Sequence, residues 1–497
     1  MCFSPALHFP AARYSFVMRA GAVFTIIAVV VIATRLCHSH VLWADDNLPL
    51  AAAMEIARGK TLYREVWFDK PPLVAWIALL WGARAGALLR LAGAAYVLAT
   101  AAAAWQFART KWSELEGLLA AGFVALFLTF DLPSAIIPLA SDMLLILPHF
   151  LAIYFAWRGR AFLSGAAAGV GLMCSSKAVF VLAACALWQW RSLPLLLAGF
   201  AAPNALALGW MWAHGSAAEY YRQVWQWGSI YAANTFVEHP LTEGARRTAD
   251  WVGFHAALVI GAIIAISNAR GVDTRAGRWR MAAWIAIAFA GVILGLRFFP
   301  RYYFLLLPPM TIAAARGWSL VMRRPQPELT APPSGARRLA VIALAALLAV
   351  PTIRFAPRYV TVARGDTWRD LDMDRDSQSA AEKLRALAQS GDTLFVWGFR
   401  PDVFIYSGLP AGTRFLESQP ISGVLADRHL LSAASVAPEF TGPNRRELTA
   451  SQPTWIVDGL GVYNPSLALD HQTYLLPWLA RYKEVGRTNF SILYRLR

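Results

Sequence analysis

The chain has 497 residues, 57% of them hydrophobic and only 15% charged, a balance too apolar for an ordinary soluble protein. Its formal charge of +16 could point to nucleic acid, but the arginines cluster beside apolar runs, as in ARGVDTRAGRWR (269 to 280) and at 323 to 324, where the positive-inside rule expects cytoplasmic loops. No basic face with interleaved aromatics stands apart from those flanks, so nucleic acid is set aside as a partner and the lipid bilayer takes its place.

Met18 and Arg19 ahead of the apolar run at 18 to 36 read as a start of their own, so residues 1 to 17 carry no structural weight. No small-residue cleavage site follows, and an uncleaved first helix is expected. A crossing helix needs about 20 mostly apolar residues. Further candidates lie near 88 to 107, 115 to 131, 140 to 157, 161 to 176, 178 to 190, 193 to 213, 251 to 268, 281 to 298, 302 to 321 and 337 to 354. If ARTK (108 to 111), WRGR (157 to 160), Arg191 and the loops 269 to 280 and 323 to 338 are cytoplasmic, these segments alternate correctly. The expected fold is therefore a polytopic α-helical membrane protein of about 11 spans, with its N-terminus cytoplasmic and its C-terminus periplasmic. That scheme makes the shorter run 72 to 83 interfacial or re-entrant and leaves Arg84 and Arg90 as anomalies on the outer side. It also puts on one external face the loop 37 to 87, DLPSAIIPLASD (131 to 142), SSK (175 to 177), the loop 214 to 250 and RFFPRYY (297 to 303).

The first of these loops holds ADDNLPLAAAMEIARGKTLYREVWFDKPPL, residues 44 to 73. Asp46 or Asn47 could cap a helix with Pro49 in its first turn, running to Arg58 and stopping at Gly59. One cap explains one polar residue, whereas the adjacent carboxylates of Asp45 and Asp46 repel each other and call for a cation, a proton or a basic partner. Lys70, followed by Pro71 and Pro72, reads either as a snorkelling lysine or as the place where a lipid phosphate sits. Asp142 reads either as a helix cap or as a carboxylate sharing a divalent metal ion or a substrate with Asp45. Arg297 and Arg301, beside Tyr302 and Tyr303, run against the positive-inside trend and suit an anionic partner. Cys2, Cys37, Cys174 and Cys185 have neither metal nor redox spacing.

After about residue 355 the composition changes. DTLFVWGF (392 to 399), PTWIVDG (453 to 459) and SILYRLR read as strands, RPDVFIYSG as a short helix or turn, and SQSAAEKLRALAQSG (377 to 391) as an amphipathic helix with Ser377 as cap and Gly391 as stop. We divide the chain into a membrane domain at 18 to 354 and an external α/β domain at 355 to 497. No Gly-rich phosphate loop follows the first strand, and no internal repeat suggests a transporter of paired halves.

The spacing from the paired acids to Ala53, Gly59 and Tyr63 and then to Lys-Pro-Pro-Leu (70 to 73) resembles the first external loop of the GT-C glycosyltransferases that use polyprenyl-phosphate sugars, the protein O-mannosyltransferase-like and aminoarabinose-transferase-like proteins among them. LRLAG (89 to 93), the SD at 141 to 142, SSK (175 to 177), FPRYYFLLLPPM (299 to 310) and VWGFRPDVFIYSGLPAGTRF extend the resemblance over nearly the whole chain. The family's usual Asp-Glu is Asp45-Asp46 here, and Leu48 and Pro49 replace the aromatic that commonly follows. The resemblance implies an inverting glycosyltransferase that moves a hexose or pentose from a polyprenyl-phosphate donor to a hydroxyl on a glycan, lipid or protein. It implies Asp45, Asp46 and Asp142 as catalytic carboxylates, Lys70, Arg301 and Lys177 as phosphate ligands, Tyr63, Tyr302 and Tyr303 as substrate contacts, and room for a divalent metal ion at Asp45 and Asp142. A flippase of lipid-linked sugars or a non-catalytic envelope scaffold are the rivals; a flippase predicts ionisable groups within the spans rather than at their ends.

Overall fold

The computed structural model describes residues 11 to 268, 274 to 322 and 334 to 497. Parts of the basic loops at 269 to 280 and 323 to 338, and the opening residues 1 to 10, lie outside the described residues. Every apolar run read above coincides with a helix, but length sorts them. Ala87–Lys111, Ala178–Ala213, Arg275–Ile293, Pro300–Met322 and Arg337–Arg364 are long and apolar enough to cross a membrane. Ala20–Leu36, Ser141–Trp157 and Ala161–Leu172 are shorter. The run 251 to 268 is divided: Pro240–Phe254 meets Ala256–Ser267 at a bend of 86°. The first of that pair is a charged amphipathic helix, with Glu243, Arg246, Arg247 and Asp250 ion-paired along one side. Residues 72 to 83 form only Leu73–Trp76 and a 3-10 turn, Ile77–Trp81, neither of crossing length.

Pro300–Met322 is the central helix, 89% buried over its apolar window, whereas Ala178–Ala213 is 17% buried and peripheral. Close approach depends on glycine. A Cβ on Gly165 would stand 1.9 Å from the Leu196 carbonyl, and one on Gly317 would stand 1.8 Å from the Gly261 carbonyl. Backbones therefore touch at both crossings, as small residues allow between membrane helices.

The C-terminal layer contains one four-stranded sheet, β1 (Leu394–Trp397), β2 (Trp455–Asp458), β3 (Tyr482–Arg487) and β4 (Ile492–Leu496), in the order β1-β2-β4-β3. β1 and β2 are parallel and the other pairs antiparallel. Both faces of β1 are covered: Leu394 and Val396 pack into a core with Leu48, Tyr63 and Phe68 of the first loop, and Phe395 and Trp397 into another with Trp67 and Trp227. A strand covered on both sides needs no alternation, which accounts for the continuous apolar run LFVW. The amphipathic helix is Asp372–Leu387, starting before the Ser377 proposed as its cap. Ser377 lies inside it and accepts from the Arg400 guanidinium at 3.0 Å, so the real start is signalled by Asp372 and Asp374 in the first turn.

Candidate active site

An open cavity lies where the first loop, the turns at 140 to 142 and 175 to 177, the segment 224 to 232, the segment 294 to 302 and the C-terminal layer meet. Its walls carry the cations Lys70, Lys177, Arg297 and Arg301 and the carboxylates Asp45, Asp69 and Asp142. Segments more than 200 residues apart in sequence thus converge on one cluster of charge.

Asp45 sits in the first turn of the helix Ala44–Ala57, where the positive end of the helix dipole favours a carboxylate, and it is ion-paired with Arg301. Asp142 occupies the first turn of Ser141–Leu144 rather than its cap, and accepts from Lys177 Nζ at 2.9 Å. The Lys177 ammonium also stands 3.2 Å above the Tyr302 ring. Burial pushes Lys177 down to about 8; Asp142 opposes the shift, while Arg301 and Lys70 add to it. Lys70 pairs with Asp69 at 3.1 Å and remains 42% exposed, so its head is available to a ligand.

Three expected site residues lie elsewhere. Asp46 is buried against Arg90 at 2.8 Å and accepts from the Leu139 amide, so it is a structural ion pair and not a cavity carboxylate. The same bond accounts for Arg90, which is 1% exposed and so is no topology signal. Tyr63 is fully buried with φ 68°, its ring against Tyr220 and its hydroxyl donating to the Lys70 carbonyl at 2.9 Å; it holds Lys70 rather than substrate. Tyr303 is 2% exposed, its hydroxyl 2.8 Å from that of Thr248, and its ring lies parallel to Trp251. Tyr302 does line the cavity.

Arg297 lines the cavity too but is fully engaged. Its Nε donates to Asp427 of the C-terminal layer at 2.8 Å, and its guanidinium lies 3.8 Å over the Tyr231 ring. The residues on either side, Leu296 and Phe298, both have φ 51°, a strained conformation for side chains of their size. Residues the sequence reading passed over include Asp69, Trp227, Tyr231 and Phe399. Of these, only Asp69 carried a sequence signal, its position directly before Lys70.

A bridging metal does not suit the donor set. Asp45 and Asp142 are each taken by a cation, and among the described residues no group of three or more His, Cys, Asp or Glu is arranged to hold a metal ion.

Sequence comparison finds neither a matching family model nor a matching curated protein. Solved structures do match. ArnT from Cupriavidus metallidurans bound to undecaprenyl phosphate superposes with a TM-score of 0.56 at 17% identity, over 95% of this chain and 97% of that one. Its apo form gives 0.55 at 16% identity, over 98% of each chain. The archaeal oligosaccharyltransferase AglB from Archaeoglobus fulgidus, in complex with an inhibitory peptide and a dolichol-phosphate, gives 0.51 at 11% identity, over 95% of this chain and 73% of that one. The chain is built on the GT-C fold of these membrane transferases.

Proposed function

We propose that the protein is a membrane glycosyltransferase of the bacterial inner membrane, moving a hexosyl or pentosyl group from a polyprenyl-phosphate donor to a hydroxyl acceptor on the periplasmic side. The observation that carries this reading is the meeting of Asp45, Asp142, Lys70, Lys177 and Arg301 in one cavity, on a fold of which two solved examples hold polyprenyl phosphates.

The chemistry needs few parts. The acceptor oxygen bonds to the anomeric carbon from the face opposite the phosphate, and the carbon–oxygen bond to phosphate breaks, inverting the centre. The acceptor proton passes to a carboxylate, for which Asp45 is the first choice. The phosphate keeps the bonding pair and departs on its lipid with one more negative charge than it had as a diester. Cations fixed around it therefore favour the transition state over the ground state. Lys70, Lys177 and Arg301 supply that charge without a metal. Arg301 and Lys177 rest against Asp45 and Asp142. An arriving phosphate competes for both cations, so donor binding itself frees the carboxylates to take a proton. The cavity's ionisable groups stand at helix starts and in loops rather than within spans, which favours a transferase over a flippase.

The test uses membranes supplied with a panel of labelled polyprenyl-phosphate sugars. Wild-type protein is expected to transfer at least one, and Asp45→Asn to lower the rate by at least about a hundredfold with unchanged expression and folding. Retained transfer by that variant would remove Asp45 from the mechanism.

A further inference from the structure

Asp69 has a buried oxygen that nothing answers. Its Oδ2 accepts from Lys70 at 3.1 Å, while Oδ1 is shielded from solvent and has no hydrogen-bond partner among the described residues. The side chain is only 9% exposed, yet it lines the cavity. A buried acceptor left without a donor is destabilising, so such a group persists where a ligand completes it. Among the described residues none supplies a substitute. Burial and then the charge of Asp69 push the carboxyl of Glu417, in the C-terminal layer, well above its ordinary range, and Glu417 brings no cation.

Phe399 presents the complementary feature. It follows β1, whose four residues are all buried, and is the partly exposed member of a turn whose other residues, Gly398 and Arg400, are buried. Gly398 before it has φ 114°, with the Gly459 carbonyl carbon 3.3 Å from where a Cβ would sit. Arg400 after it is fully buried, donating to Asp376 at 2.9 Å and to Ser491 at 2.8 Å. The turn holds the ring at the cavity, where it joins Trp227, Tyr231 and Tyr302 as an aromatic wall beside the charged groups. It also stands just beyond the C-terminal end of a parallel strand, where open α/β sheets bind ligands.

A sugar ring needs both: an aromatic face for its C–H side and an acceptor for a hydroxyl. We propose that Asp69 and Phe399 form the subsite for the sugar of the donor, one wall from the first loop and the other from the C-terminal layer, beside the Lys70 that takes the phosphate. This rests on the transferase reading and adds to it a pair of specificity-determining residues for a hydroxylated pyranose or furanose ring.

The test is equilibrium binding to the full-length protein in detergent, comparing undecaprenyl phosphate with undecaprenyl phosphates carrying glucose, mannose or aminoarabinose. Wild-type protein is expected to prefer at least one sugar-bearing lipid by about tenfold over the bare lipid. Phe399→Leu, which keeps apolar volume without a ring face, is expected to erase most of that preference and to leave affinity for bare undecaprenyl phosphate within about twofold, and Asp69→Asn, which also releases Lys70, to erase the preference read as the ratio of sugar-bearing to bare lipid. Equal weakening of bare and sugar-bearing lipids would make both residues structural and overturn the proposal, as would a preference that survives both substitutions or is absent from the wild type. A preserved sugar preference without transfer in native membranes would count against the transferase reading instead.

Discussion

Asp45 and Asp46 are neighbours with opposite surroundings, one at the cavity with Arg301 and the other sealed against Arg90. Removing one member of a buried pair strands the other charge, so Asp46→Ala should cost about 3–5 kcal/mol. Thermal unfolding in detergent would read that loss, whereas Asp45→Asn should melt close to wild type. The two acids were legible as a charged pair because no cap needs both, but which one faces the cavity depends on Arg90, 44 positions further on in sequence. Lys177 makes a second prediction. Its ammonium gives up its proton at about 8, so it is charged below that pH and neutral above it. A bound phosphate favours the charged form, so affinity for undecaprenyl phosphate should fall between roughly pH 7 and 9. Lys177→Arg, charged throughout, should flatten the profile; an unchanged slope would remove Lys177 from the phosphate site.

At the level of elements, hydropathy located the helices, while their crossings depended on positions with no side chain. Gly165 and Gly169 lie four apart on Ala161–Leu172 and meet Leu196 and Phe200 of the helix Leu193–Ala213; Gly199 meets Phe162 in return. Gly165→Val must push backbone against backbone, a cost of at least about 1–3 kcal/mol. It should lower the folded yield in detergent, whereas the same change at Gly209, with nothing within 4 Å, should be tolerated. The four-residue spacing was present in the sequence, but spacing alone does not name the partner helix. The run 251 to 268 misled for another reason: its apolar content continues through a bend of 86°. At that bend His255 is stacked between Phe127 and Trp251, and a count of apolar residues cannot register a change of direction. In the C-terminal layer, the apolar strands β1, β2 and β4 were readable, whereas β3, whose residues are mostly exposed, had no hydrophobic pattern to show.

For the whole molecule, the contacts between its two ends constrain the topology more tightly than the count of apolar runs. The C-terminal layer is bonded to the first loop, with the Trp67 amide donating to the Arg414 carbonyl and Lys60 to the Ala411 carbonyl, both at 2.7 Å. It is bonded again to the cavity wall through Arg297 and Asp427, at 2.8 Å. Loop and layer must therefore lie on the same side of the membrane. If the helix Ala11–Leu36 crosses, the chain's start lies on the opposite side, and the number of crossings is odd whatever the short helices do. Eleven satisfies this; ten or twelve does not. An alkaline phosphatase fused after Arg497 should be active and a fluorescent protein there dark, with the opposite pattern for fusions in the basic loop at 323 to 333. A cytoplasmic signal from both positions would put the cavity, its donor and its acceptor on the wrong side for a periplasmic transferase. It would require the sugar-phosphate chemistry to be sought inside the cell.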